Sequence, residues 1–270
     1  MKLAFIGGGN MARAIVGGLV AKGTRAADIV VVEIDPAARS KLEGDFGVSA
    51  VEAPGGGLSG ADAIVFAVKP QHMREAAHSA ASFVGDALVI SIAAGIRIES
   101  LGRWLGGRTR LVRAMPNTPA LVHAGISGLY APPEVGQEDR ATAEALLAAV
   151  GATLWFDKES DLDTVTAVSG SGPAYVFYAI EALETAARRL GLAEGASRSL
   201  ALWTFVGATK LAIERGEEPA ALRAQVTSRG GTTERALQVL EAAGVKELFI
   251  DAVRAACERS REMGDALGKD

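Results

Sequence analysis

Leu3-Ala-Phe-Ile-Gly-Gly-Gly-Asn-Met-Ala-Arg-Ala-Ile15 begins with four apolar residues, turns through three glycines, and goes on with apolar positions at helical spacing, Met11, Ile15 and Leu19. An apolar strand that runs through glycines directly into a helix is the opening of a βαβ nucleotide-binding unit. Within it, Gly7-x-Gly9-x-x-Ala12 assigns each small residue a task. Gly7 permits the tight turn, Gly9 lets backbone approach a pyrophosphate, and Ala12 lets helix and strand pack closely. Asn10 and Met11 then start the helix, whose free N–H groups and dipole favour an anion.

The pattern continues outward from this loop. Short apolar runs at 29–33, 63–68, 88–92, 111–113, 126–130 and 153–156 alternate with helical stretches. That alternation predicts a largely parallel sheet covered on both faces. Pro54-Gly-Gly-Gly-Leu-Ser-Gly60 interrupts it only as a flexible surface loop, because the rhythm resumes at Ala61. Past Asp157 the strand signals stop. Helical patterns take over at 175–190, 196–215, 219–226, 232–241 and 246–263, so the expected division is an α/β domain over 1–158 and an all-α domain over 159–270. The stretch 196–213, with Leu200, Leu202, Trp203, Phe205, Val206 and Leu211, is apolar around most of its circumference. Such a helix is expected against a second subunit, the alternative being the centre of a monomeric bundle.

Composition narrows the function. With 270 residues, 49% hydrophobic and 22% charged, the chain can bury a sizeable core. A net charge of −4 offers no general attraction for nucleic acid or anionic lipid. Cys257 has no disulfide partner, and His72, His78 and His123 form no metal-ligand pattern, so no metal is expected. No apolar run reaches the ~20 residues of a membrane span, and the expected compartment is the cytoplasm.

The cofactor's second contact belongs at the end of the next strand, in Ile29-Val-Val-Val-Glu-Ile-Asp-Pro-Ala-Ala-Arg39. Carboxylates there accept the ribose hydroxyls and repel a 2′-phosphate, so Glu33 and Asp35 lean towards NADH while Arg39 leans towards NADPH. Glu33 could equally be a solvated strand end. Further turns at strand ends are candidates to line ribose and nicotinamide: Ala67, Val68, Lys69 and Pro70, then Ala93 and Gly95, then Met115 and Asn117 in Arg113-Ala-Met-Pro-Asn-Thr-Pro119.

Two later stretches complete a pattern: Val168-Ser-Gly-Ser-Gly-Pro-Ala-Tyr-Val-Phe177 and Val226-Thr-Ser-Arg-Gly-Gly-Thr-Thr-Glu-Arg-Ala-Leu237. With the glycine loop and the Met115–Asn117 segment, in this order along nearly the whole chain, they resemble the pyrroline-5-carboxylate reductase family. The resemblance implies an α/β Rossmann-type dinucleotide-binding domain and an all-α dimerisation domain. It further implies reduction of 1-pyrroline-5-carboxylate to L-proline, usually with NADPH, in dimers that can gather into a decamer of five. Arg229 departs from that family's pattern, which commonly has proline there.

The residues suit such a substrate, a cyclic imine bearing a carboxylate. Gly230, Gly231, Thr232 and Thr233 offer N–H groups and hydroxyls at a helix start. Ser171 and Gly172, just before Pro173, do the same and by resemblance form another wall of the substrate site. Thr233 is the candidate for the ring nitrogen, with Ser228 and Thr232 framing the carboxylate. These loops are read as holding no histidine or carboxylate, so no strong general acid is evident and positioning would carry the catalysis. A β-hydroxyacid dehydrogenase would share the architecture and need a lysine base, for which Lys210 is the central candidate. A redox sensor would bind dinucleotide without turnover.

Overall fold

The computed structural model describes residues 1–269. They form two compact units, 1–171 with 256–269, and 172–255. This division falls later than the 158/159 boundary drawn from where strand signals end, and it returns the C-terminal residues to the first unit.

The first unit holds one eight-stranded sheet in the order β3-β2-β1-β4-β5-β6-β7-β8. Its strands are β1 (Leu3–Ile6), β2 (Ile29–Val32), β3 (Ser49–Val51), β4 (Ala63–Phe66), β5 (Leu88–Ser91), β6 (Leu111–Met115), β7 (Gly125–Tyr130) and β8 (Gly151–Trp155). All neighbouring pairs from β3 to β6 are parallel, β6 and β7 are antiparallel, and β7 and β8 are parallel again. The stretch between Met115 and Gly125 is a short turn with no α-helix. A parallel crossover needs about a dozen residues, so the chain folds back on itself there. β3 escaped the sequence reading because a three-residue edge strand has no apolar run.

Alternation along the strands fills both faces of this sheet. Leu3 and Phe5 of β1 join Ile15 and Val16 of α1 (Asn10–Ala21), Leu42 of α2 (Pro36–Phe46) and Leu146 of α5 (Gln137–Leu147) on one face. Ala4 and Ile6 join Met73 and Ala77 of α3 (Met73–Ala80) and Trp104 of α4 (Ile98–Trp104) on the other. A strand buried on both sides reads as an unbroken apolar run, as β1, β2 and β4 do. Leu58 is fully buried on the second face, so the loop expected to be flexible is tied into the core by its one large side chain.

One group of deep polar residues in this unit is paired. Arg113 on β6, 3% exposed, places its guanidinium 3.1 Å from Glu159 and 4.0 Å from Asp163 of α6 (Asp161–Val165). Ser260 donates to Asp163 at 2.7 Å, and the backbone N–H of Ile98 donates to Glu159 at 2.8 Å. This cluster joins the middle of β6 to three other parts of the first unit, where an unpaired charge would cost several kcal/mol (~3–5).

The second unit contains α7 (Gly172–Arg189), α8 (Glu194–Arg215), α9 (Pro219–Gln225), α10 (Thr232–Ala242) and the first half of α11 (Val245–Leu267). All five helices of the sequence reading are present. Glycine in the left-handed region ends α8 at Gly216, while proline starts α9 at Pro219. Among the described residues, α7, α9 and α10 bury none of their side chains in the single chain, and α8 buries only Ser197 and Ala201.

Candidate active site

In a parallel sheet, consecutive strands deliver their carboxyl-terminal turns to one edge. The order β3-β2-β1-β4-β5-β6 places β1 where the direction of strand addition reverses, the usual ligand position in open α/β sheets. The loops at Gly7–Gly9, Ala67–Pro70, Ala93–Gly95 and Met115–Asn117 therefore stand on that edge, and the structure brings these predicted residues together within the first unit. A cavity of about 620 Å³ lined by Asp62, Asp86, Arg110 and Asp139 lies at the opposite, amino end of the strands, and Arg110 is paired there with Asp139. It is on the wrong edge for a dinucleotide.

The three glycines of the first loop differ in what they face. Gly7 has φ +98°, and a Cβ there would meet Val68 and the Ala67 backbone at 2.9–3.0 Å. A Cβ on Gly8 would meet Leu42 at 2.6 Å and Glu33 at 3.2 Å, so protein fills that side. At Gly9 a Cβ would meet nothing within 4 Å. The loop thus leaves open space at the start of α1, where Arg13 N–H bonds back to the Gly9 carbonyl and begins the helix. Tight backbone below and free space above the helix start fit a pyrophosphate.

Glu33 stands just past β2. Its Oε2 accepts the Gly8 N–H at 2.8 Å and its Oε1 the Asp35 N–H at 2.9 Å. Asp35 is the N-cap of α2, accepting the Ala37 N–H at 2.9 Å. Arg39 points inward, with Nη1 2.7 Å from the Glu33 carbonyl and 3.0 Å from that of Ile34. Lys69 is exposed beside Pro70, while Ala93 and Gly95 are buried. Gly95 lies against Met263 and Gly264 at the end of α11.

Asn117 is 9% exposed, and its amide is engaged on both sides. Its Nδ2 donates to the Ser169 carbonyl at 3.1 Å, and its Oδ1 accepts the Ile126 N–H at 2.9 Å. Met115 packs its Cε where a Cβ on Gly170 would sit, 2.7 Å away. Residues 166–170 form a single π-helical turn, a local widening often found at functional sites. Asn117 and Met115 thereby hold the Val168–Gly170 backbone. Ser171 follows at the end of the first unit, and Gly172 starts α7 with Pro173 in its first turn.

In the second unit the loop before α10 is more closed than its sequence suggests. The Gly230 N–H donates to Glu234 at 2.8 Å and the Gly231 N–H to the Ser228 carbonyl at 3.0 Å. Gly230 has φ +74°, and a Cβ on Gly231 would meet Ser228 Oγ at 2.5 Å. Both glycine N–H groups are spent on the loop itself. What remains are Thr232 and Thr233, at the first two helical positions, whose N–H groups lack helical partners. Neither threonine hydroxyl has a hydrogen-bond partner among the described residues, and α10 has no side-chain cap. Glu234 is the carboxylate that the sequence reading passed over. Its spacing from Gly231 is that of a capping box, which is the signal that could have found it. Arg229 is exposed. Lys210 pairs with Glu214 at 3.7 Å along α8, with its side chain 72% exposed.

Comparison with known proteins decides between the readings. A curated pyrroline-5-carboxylate reductase of Pseudomonas aeruginosa is 44% identical over 99% of this chain and 98% of its own length. The chain belongs to the pyrroline-5-carboxylate reductase family. Residues 159–263 match the family model described as pyrroline-5-carboxylate reductase dimerisation, and residues 2–95 match that of NADP oxidoreductases, coenzyme F420-dependent. A pyrroline-5-carboxylate reductase of Coxiella burnetii has a TM-score of 0.91 at 40% identity, covering 97% of this chain and 98% of that one. The Plasmodium falciparum pyrroline carboxylate reductase with NADP bound has a TM-score of 0.87 at 29% identity, covering 98% of each chain. The Rossmann-type domain, the dimerisation domain and the NADP-type cofactor expected from the sequence are those of the family. No helix among the described residues is long and apolar enough to cross a membrane.

Proposed function

We propose that the chain reduces 1-pyrroline-5-carboxylate to L-proline with a reduced nicotinamide dinucleotide, the last step of proline biosynthesis. The observation that carries the reading is the pair of unpartnered hydroxyls at Thr232 and Thr233, at the start of a helix within a matched dimerisation segment, in a chain whose Gly9 opens on free space. When bound, the dinucleotide supplies the hydride that the imine carbon accepts. The chain's residues do the remainder.

Gly7, Gly9, Asn10 and Met11 hold the pyrophosphate, and the turns at 67–70, 93–95 and 115–117 line the rest of the dinucleotide. Thr232, with the free N–H groups of α10 and the Ser228 hydroxyl, holds the substrate carboxylate. The Thr233 hydroxyl meets the ring nitrogen. Ser171 and Gly172 add the second polar wall. Glu234 keeps its carboxylate on the Gly230 N–H and is no general acid, so the nitrogen's proton comes from water and positioning is the protein's main contribution. The functional division falls at 158/159. Self-association runs through the apolar faces of α7 and α8, with five dimers gathering into a decamer, and the working compartment is the cytoplasm, where Cys257 stays reduced.

The test is the fall in nicotinamide absorbance when purified protein meets pyrroline-5-carboxylate with NADPH or NADH. Oxidation of either supports the reading; none with either, despite dinucleotide binding, rejects it. Thr233→Val is expected to lower kcat/KM about 100-fold, the scale of a lost polar contact in the transition state. Unchanged turnover and substrate affinity would remove Thr233 from the mechanism.

A further inference from the structure

The turn after β2 and the start of α2 carry Glu33, Asp35 and Arg39, three charged side chains at the edge where the dinucleotide's adenosine end belongs. The sequence leaves their effects opposed. The structure separates them.

Asp35 is committed to the helix: its Oδ1 caps α2 through the Ala37 N–H at 2.9 Å. Arg39 is committed to backbone, with Nη1 on two strand-end carbonyls at 2.7 and 3.0 Å and Nη2 3.9 Å from Glu52. Glu33 alone is directed at the glycine loop, its Oε2 on the Gly8 N–H at 2.8 Å. Glycine at position 8 leaves room for this approach, since a Cβ there would come within 3.2 Å of that same oxygen. Both carboxylate oxygens take a backbone N–H, and each keeps a lone pair for a ribose hydroxyl. A 2′-phosphate would instead meet a fixed negative charge, with the neighbouring guanidinium turned towards carbonyls.

We propose that Glu33, not Asp35, is the specificity-determining residue for the dinucleotide, and that its carboxylate disfavours the 2′-phosphorylated form relative to the unphosphorylated one. Residues 2–95 match a family model of NADP oxidoreductases, so Glu33 acts against the cofactor of that class and widens use towards NADH. The inference rests on the dinucleotide reading of the glycine loop and is independent of which imine is reduced.

The test is direct titration of the full chain with NADH and with NADPH, without imine, following nicotinamide fluorescence. Glu33→Gln is expected to shift the ratio of the two dissociation constants about tenfold towards NADPH, the scale of one screened charge contact. Asp35→Asn is expected to shift it less than about threefold. Because Glu33→Gln loosens a loop contact, Ile34→Arg provides a second route. That side chain is 80% exposed between the two acids, and a free guanidinium there is expected to tighten NADPH several-fold (~5) while NADH changes less than about twofold. An unchanged ratio in Glu33→Gln with no gain in Ile34→Arg overturns the proposal, as does an equal shift from Asp35→Asn. Failure of the wild type to bind either dinucleotide overturns it together with the reading of the loop. A shifted ratio in a protein that leaves pyrroline-5-carboxylate unreduced would reject only the proposed reaction.

Discussion

Phe5, Ile64 and Ile90 of the first unit lie fully buried between sheet and helices, whereas Tyr178, Trp203 and Ile213 of the second stand 74%, 72% and 82% exposed in the single chain. Both units are rich in apolar side chains, yet only the first encloses them within its own fold. A two-faced sheet covered by helices can bury its strands with one chain. A few helices with apolar residues around most of their circumference cannot, and an exposed apolar surface of this extent is a contact surface for another molecule. The match of residues 159–263 to a dimerisation model says what kind of contact it is. The first unit is thus built to stand on its own core, and the second to be completed by association.

The sharpest way to break this contrast is to damage each unit where its stability is held. Phe5→Ala removes a wholly buried ring and is expected to cost about 3–5 kcal/mol, read as a fall in denaturant midpoint that does not change with protein concentration. A strongly concentration-dependent loss would make the first core depend on association as well. Next in size is Trp203→Ser. It should leave the first unit's core unaltered and weaken self-association by about 2 kcal/mol or more, seen as a shift to smaller species in sedimentation velocity. An unshifted profile would move the contact surface off this face of α8. The smallest effect belongs to Lys210→Ala, which removes an exposed pair with Glu214 and is expected to change stability by less than about 0.5 kcal/mol. Activity within about twofold of wild type in the imine assay would also dismiss Lys210 as a base, whereas its loss would reopen hydroxyacid chemistry.

Much of this molecule is legible from local pattern. The strand at Leu3–Ile6, the glycine turn and α1 appear where apolar spacing changes from a run to a helical repeat. The helices of the second unit follow their apolar periodicity and their glycine and proline punctuation. Of the candidate site, the first glycine loop could be read because its chemistry is backbone chemistry, set by residue size at each position. The second could be read only in part. That Gly230 and Gly231 would spend their N–H groups within the loop depends on where Glu234 and Ser228 fold back. Asn117 reads as a loop residue at a strand end, and that its amide also joins Ser169 to Ile126, segments far apart along the chain, is visible only in the fold.

The amino-acid sequence by itself determined the α/β domain followed by helices, the glycine loop and the hydroxyl-bearing helix start, because each follows from residues adjacent or regularly spaced along the chain. Tertiary structure decided what those residues have left to offer. It turned Arg39 onto carbonyls, set Asp35 to capping a helix, aimed Glu33 at Gly8 and buried Arg113 against Glu159. Which partner a polar group finds depends on segments that meet only when the sheet closes, and spacing along the chain has no means of recording that.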